Sequence, residues 1–243
     1  MSARLEVGGR QQLDTRQSPQ TRVERTLEAT TLLAGCPRQD IEAVARVTAP
    51  RAFSGKQTIV RRGEACDALY VVEQGAVKLL RQHDGRPEKV LELLGPNAVF
   101  GETALLCGRG YPYRAIALED SHLLAIEAAP LLALIQERPM LAWRLIAHLA
   151  EAYESALDTI EIVGTFSAEQ RVAAYLLTQR ARVGEATWFQ GPRSRRDLAS
   201  LLCITPETLS RTISEFRRKG WVETEGRRIG VLEPEALDAL LGG

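Results

Sequence analysis

Glu207, Ser210, Arg211 and Ser214 fall at offsets of zero, three, four and seven along one short stretch of this sequence. On a helix that spacing puts all four on a single face. Three of them carry groups that read base edges in the major groove. A guanidinium chelates guanine O6 and N7, a carboxylate accepts from cytosine N4, and a hydroxyl bonds either kind of edge. Arg211, Glu207 and Ser210 are therefore the candidate base readers. The bland alternative for the same residues is an i to i+4 salt bridge between Glu207 and Arg211 on a solvated helix. Hydroxyls and guanidiniums flank that face at Ser194, Arg195, Arg196, Thr205, Thr208, Ser214 and Arg217, as contacts to a phosphate backbone require.

The helix that must carry these groups is well specified. Thr205 suits the N-cap and Pro206 the first helical position, and Gly220 closes the run after Arg217-Arg218-Lys219. Leu209, Ile213 and Phe216 form its inward stripe. A shorter helix is expected over 195–202, capped by Ser194, with Asp197 three residues on to complete a capping box. Leu198, Leu201 and Leu202 give it an apolar face, and small Ala199 permits close approach of its neighbour. An amphipathic helix over 167–181 precedes this pair, and strands at 221–223 and 229–232, joined by a turn containing Glu225-Gly226, follow it. That order predicts a winged helix-turn-helix over 165–243.

Net charge conceals this. The 31 basic and 31 acidic residues among 243 cancel to zero. By segment, 1–20 carry +1, 21–164 carry −3 and 165–243 carry +2, and within 190–228 nine Arg or Lys face five Asp or Glu, a net of +4. Positive charge collects where phosphates would be neutralised. Catalysis finds no comparable cluster: His83, His122 and His148 fall in a turn, a strand and a helix with no nucleophile, base or metal set around them. Cys36, Cys66, Cys107 and Cys203 lie at least 30 residues apart and form no metal-ligand spacing. Gly108-Arg109-Gly110 lacks the third glycine and the strand-to-helix setting of a dinucleotide loop. No uncharged run exceeds nine residues, against the roughly 18 to 20 that span a bilayer, and the N-terminus shows no signal-peptide core. The expectation is a cytoplasmic protein that is not an enzyme and has no membrane partner.

The rest of the chain reads as a platform for the reader, giving an α+β fold. Residues 1–20 are polar and form an arm. Residues 21–138 open with two short helices, the second beginning near Pro37, and continue as short β-branched or Leu-rich runs from Gln57 to about Glu127, punctuated by glycines and by the hairpin signal Asp84-Gly85. That texture indicates an antiparallel sandwich or roll. A long helix follows from Pro139 to Gly164, where a hinge is expected. Its Ala142, Ile146, Leu149, Tyr153, Ala156, Ile160 and Val163 alternate by four and three, the spacing of a coiled-coil dimer seam, and Leu145, Ala152 and Leu157 widen the stripe.

With Gly95-Pro96, Phe100-Gly101-Glu102 and the Glu-x-x-Ser-Arg of the recognition helix in place, residues 21–243 resemble the superfamily of the cyclic-AMP receptor protein and the fumarate and nitrate reduction regulator. The recognition helix is most similar to the latter branch and to the dissimilatory nitrate respiration regulators. The resemblance implies a cyclic-nucleotide-binding-like jelly roll, a homodimer, an inverted repeat of TTGAT half-sites one DNA turn apart, and RNA polymerase as a partner. It also implies an effector pocket at Gly101, Glu102, Thr103, Tyr113, Arg114 and Ala115. The phosphate-binding Arg-Ser-Ala of nucleotide-binding members is altered here, with Arg114 directly before Ala115, which disfavours a cyclic nucleotide. An iron-sulfur cluster is not expected, since residues 1–35 contain no cysteine. Pro112-Tyr113 is similar to the nitrate respiration branch, which links to nitric oxide sensed through haem, with His122 or His148 as ligand. A further branch works without a bound effector, through abundance or cysteine oxidation. Cys203 departs from the family, standing where its turn usually has glycine. A non-DNA cyclic-nucleotide module is the rival class, and residues 165–243 argue against it.

Overall fold

The computed structural model describes residues 19–82, 88–184, 187–191 and 194–242. The arm expected over 1–20 lies outside the described residues except at its end, where Pro19 and Gln20 already belong to the first helix. The Asp84-Gly85 turn also lies outside them. Helices α1 (Pro19–Glu28) and α2 (Arg38–Arg46) lead into eight strands: β1 (Thr48–Phe53), β2 (Thr58–Val60), β3 (Ala68–Gln74), β4 (Val77–Arg81), β5 (Lys89–Leu94), β6 (Val99–Phe100), β7 (Arg114–Ala117) and β8 (Ser121–Glu127). A short helix, α3 (Glu102–Cys107), stands between β6 and β7. Two antiparallel four-stranded sheets result, ordered β1-β8-β3-β6 and β2-β7-β4-β5.

The strand sequences explain this arrangement. In β3, Ala68, Tyr70 and Val72 face the core between the sheets while Leu69 and Val71 face the helices; in β8, Leu123 and Ala125 face inward while Leu124 and Ile126 face the helices. Strands buried on both sides read as unbroken apolar runs. The strand β1 was not expected, because its Thr-Ala-Pro-Arg-Ala-Phe has neither alternation nor an apolar run. It pairs with β8 alone, and an edge strand is where a proline lacking its N–H is tolerated. Gly101, at φ +107°, caps α3, and a side chain there would press on the Ala68 carbonyl at 3.2 Å.

Beyond the roll, α4 (Ala128–Glu137) breaks at Arg138, whose extended backbone is what a following proline imposes, and Pro139 opens the long helix α5 (Pro139–Thr165). Arg138 pairs with buried Asp40 at 2.5 Å and ties that break to α2. The long helix ends slightly later than expected. The helix continues through Gly164 to Thr165 and ends at Phe166, because Ser167 caps the next helix in a reciprocal box with Gln170. The C-terminal unit comprises α6 (Ala168–Arg182), β9 (Trp188–Gln190), α7 (Arg195–Leu201), α8 (Pro206–Arg218), β10 (Val222–Glu225), β11 (Arg228–Val231) and α9 (Pro234–Ala239). Its core joins Val172, Leu176, Leu198, Leu209, Phe216, Val222 and Leu237.

Candidate nucleic-acid interface

The helix α8 is held by its caps and its buried side. Thr205 Oγ1 accepts from the Thr208 N–H at 3.2 Å, an N-cap worth about 0.5 to 2 kcal/mol. Leu209, Thr212 and Phe216 are buried, with Ile213 half-buried beside them. The opposite face is left to solvent: Glu207, Arg211, Ser214 and Arg217 are exposed and Ser210 is partly so. No ion pair joins Glu207 to Arg211. The Glu207 carboxylate turns instead to its own N–H and the Thr205 hydroxyl, which with the nearby Arg196 hold it below the usual carboxylate range. Arg211 therefore stands unengaged by Glu207, and Glu207 sits ionised at the helix N-terminus. Arg195 and Arg196 are exposed at the start of α7, with Thr208 half-buried behind Thr205.

Two features of the reader were not legible in the sequence. Ser194 caps α7 as expected, accepting from the Asp197 N–H at 3.0 Å. The Asp197 carboxylate does not reach back to complete a box, because it is bound to Lys78 of β4 at 3.0 and 3.1 Å. Arg171 of α6 is the second. Its Nη2 donates to the Val163 carbonyl at 2.8 Å, its Nε to Phe166 at 3.0 Å, and its Nη1 to Leu202 and Cys203, each at 3.3 Å. One guanidinium thus joins the end of α5 to the turn between α7 and α8. Nothing in the spacing of α6 set Arg171 apart from the other charged residues of that helix.

That turn places Cys203 at φ +55°, in the left-handed region where a side chain costs roughly 1 to 2 kcal/mol. The cysteine holds the positive φ that glycine would take without strain. Cys203→Gly should stabilise the folded chain by about 1 kcal/mol, read as a higher urea midpoint at unchanged slope. The wing adds one more basic group that sequence reasoning passed over. Arg227 is exposed at the tip between β10 and β11, while its neighbour Arg228 lies over the Trp188 ring at 5.1 Å. Gly230 is required there, since a side chain would meet the Trp188 ring at 2.8 Å.

Along α5, Ile146, Tyr153, Leu157 and Ile160 are exposed, as are Ala156, Met140 and Trp143. Ile146 and Ile160 are 58% and 68% accessible, part of an apolar stripe that the chain leaves exposed. Ala142 is half-buried, and Leu149, assigned to the same seam by heptad spacing, instead packs partly on the helical core of its own domain beside Leu141 and Leu145.

The cyclic nucleotide-binding domain family matches residues 50–138, and the Crp-like helix-turn-helix domain family matches residues 170–240. The cyclic AMP receptor protein of Thermus thermophilus is 31% identical over 217 residues, covering 89% of this chain and 99% of that protein. The chain belongs to the Crp/Fnr family. The nitrogen fixation regulation protein FixK of Bradyrhizobium diazoefficiens is 30% identical over 193 residues, 77% of this chain and 80% of its own. Among solved structures, FixK2 from Bradyrhizobium japonicum superposes with a TM-score of 0.74 at 26% identity, over 80% of this chain and 97% of that one. The Thermus thermophilus catabolite activator protein superposes at 0.51, with 31% identity, over 88% and 99%. This Crp/Fnr protein is a DNA-binding transcriptional regulator and not an enzyme. No helix among the described residues is long and apolar enough to cross a membrane, and no cluster of three or more His, Cys, Asp or Glu there can hold a metal.

Its roll departs from what the family resemblance implied for the pocket. Arg114 points away from the roll interior. It pairs with Leu80, on the same outward side as Ile116, and holds Glu88 through two hydrogen bonds of 2.5 and 3.0 Å. Tyr113 and Ala115 have the opposite parity and enter the inner core, so Tyr113 rather than Arg114 lies beside Glu102 and Gly101. Glu102 Oε2 is buried without a hydrogen-bond partner among the described residues. Burial, helped by Glu92, pushes the Glu102 carboxyl up, and burial next to Glu102 pushes the Tyr113 hydroxyl up. Thr103 follows Glu102 in α3 and is exposed, whereas Ala104 and Leu105 are buried.

Nothing around either candidate haem ligand supports that role: His122 is exposed on β8, and His148 on α5 has its Nδ1 2.8 Å from Thr31 Oγ1. Cys36 is buried and Cys66 half-buried, and burial raises both thiols toward the inert form. Cys107 is exposed and Cys203 half-exposed, so cysteine oxidation would have to act at one of these two.

Proposed function

We propose that this Crp/Fnr protein is a cytoplasmic homodimer that joins through α5 and reads an inverted repeat of TTGAT-like half-sites, one DNA turn apart. Arg211 takes guanine, Glu207 accepts from cytosine and Ser210 meets the neighbouring base, while Ser194, Arg195, Arg196, Thr205, Thr208, Ser214 and Arg217 meet phosphates. RNA polymerase is the partner through which binding acts on transcription. The observation that carries this reading is the exposed face of α8, with Arg211 free of Glu207 and Leu209, Ile213 and Phe216 turned inward. A helix capped and oriented in that way fills a major groove with its N-terminal half.

For the signal, we infer that no cyclic nucleotide is required. The phosphate of such a ligand needs a cation inside the roll, and the position beside Glu102 is taken by a phenol while Arg114 is paired outside with Glu88. Haem gains no support from His122 or His148. The reading that remains is a regulator working without a bound effector, or through oxidation of the exposed Cys107 or the half-exposed Cys203.

A gel shift on duplexes bearing the TTGAT inverted repeat, compared with a scrambled duplex over a salt series, tests the reading. Specific binding without added ligand is expected, with affinity falling steeply as salt rises. Equal binding to both duplexes would contradict it.

A further inference from the structure

We propose that Lys78 in the sensor roll is a positioning residue for DNA reading, fixing the reader's orientation and thereby the half-site spacing the dimer accepts. This rests on the DNA-reading homodimer above. Three contacts of different kinds meet on one face of α7, at positions 197, 200 and 201. Lys78 Nζ lies 3.0 and 3.1 Å from the two Asp197 carboxylate oxygens, and the two side chains are only 21% and 13% accessible. The Ser200 hydroxyl accepts from the Val90 N–H at 3.1 Å. Because β5 is the edge of its sheet, this hydroxyl occupies backbone that no further strand pairs. Leu201, like Leu93, packs against Leu80, Val90 and Ile116 on the outer face of the same sheet.

Apolar packing alone would let α7 slide and rotate over β4 and β5. The ion pair and the hydroxyl contact are directional, so together they select one orientation. A partly buried ion pair adds little net stability, since desolvation offsets its attraction, and its retention fits a role in geometry better than one in folding. The docked face of α7 also leaves the reading face of α8 exposed, so the orientation being selected is one that DNA can reach. The α5–α6 junction and the Arg171 clamp also attach the reader. In a symmetric dimer, any freedom of each reader relative to its roll becomes freedom in the distance between the two recognition helices.

The test uses the full-length protein with two sets of duplexes. One set carries the inverted repeat at one-turn spacing or with that spacing changed by one base pair, and the other carries a single half-site. Wild type should strongly favour the one-turn repeat. Lys78→Gln should lose about tenfold of that preference with half-site affinity unchanged, and Lys78→Arg should keep it. The double exchange Lys78→Asp with Asp197→Lys should restore the preference, read as a ratio between spacings so that the added charge near DNA cancels. Undiminished spacing preference in Lys78→Gln would overturn the proposal, as would equal losses on the repeat and the half-site. A wild type indifferent to the repeat would instead overturn the DNA reading beneath it.

Discussion

Arg211→Ala should abolish the distinction between the TTGAT repeat and a scrambled duplex. A bidentate arginine contact to guanine contributes about 1 to 3 kcal/mol of discrimination. A dimer carries two of them, so roughly 2 to 6 kcal/mol of preference is at stake, at least thirtyfold in the ratio of affinities. Arg211 is exposed and in no ion pair with Glu207, so its removal leaves no partner stranded and the helix intact. Arg196→Ala is the contrasting case. It should weaken binding to all sequences alike and make the salt dependence shallower by about one per reader, as loss of a phosphate contact does. Equal losses from both changes, with discrimination kept, would show that base reading lies elsewhere, the exposed wing at Arg227 being the next candidate.

Placing Glu at both Ile146 and Ile160 should convert the protein to a monomer. Full burial of an isoleucine contributes about 1.5 to 3 kcal/mol, and a symmetric seam buries four such side chains. A carboxylate buried there without a partner would add a further penalty. The expected loss exceeds about 6 kcal/mol, enough to move a dimer from the nanomolar range to beyond the micromolar. Both residues are exposed in the protomer, at 58% and 68%, so the fold should survive with an unchanged circular dichroism spectrum. Sedimentation velocity measures the mass, and affinity for the inverted repeat should fall to that for a single half-site. A double variant that stays dimeric would place the interface on another surface.

The recognition helix was legible because its determinants are local. Thr205, Pro206, the Leu209-to-Phe216 stripe and Gly220 lie within sixteen residues and act through capping and periodicity. The roll pocket was not, because which face Arg114 occupies depends on strand register. Tyr113, just before β7, and Arg114, its first residue, are neighbours in sequence but point to opposite sides of the sheet, and a shift of one residue exchanges them. The register shift between Leu79 and Leu80 in the adjoining strand is the sort of local irregularity that sequence patterns do not reveal. Asp197 illustrates a third limit. Its spacing from Ser194 fits a capping box, yet Lys78, 119 residues away, binds its carboxylate once the domains are docked. Likewise Leu149 keeps heptad spacing but packs partly on the helical core that Leu141 and Leu145 of the same helix join.

Selection of binding sites from a pool of randomised duplexes, using the full-length protein without added ligand, tests the central claim most directly. The expected result is enrichment of two TTGAT-like half-sites in inverted orientation, centred one DNA turn apart, and loss of the guanine preference when the same selection is run with Arg211→Ala. Recovery of no shared sequence, or of half-sites without fixed orientation and spacing, would contradict it.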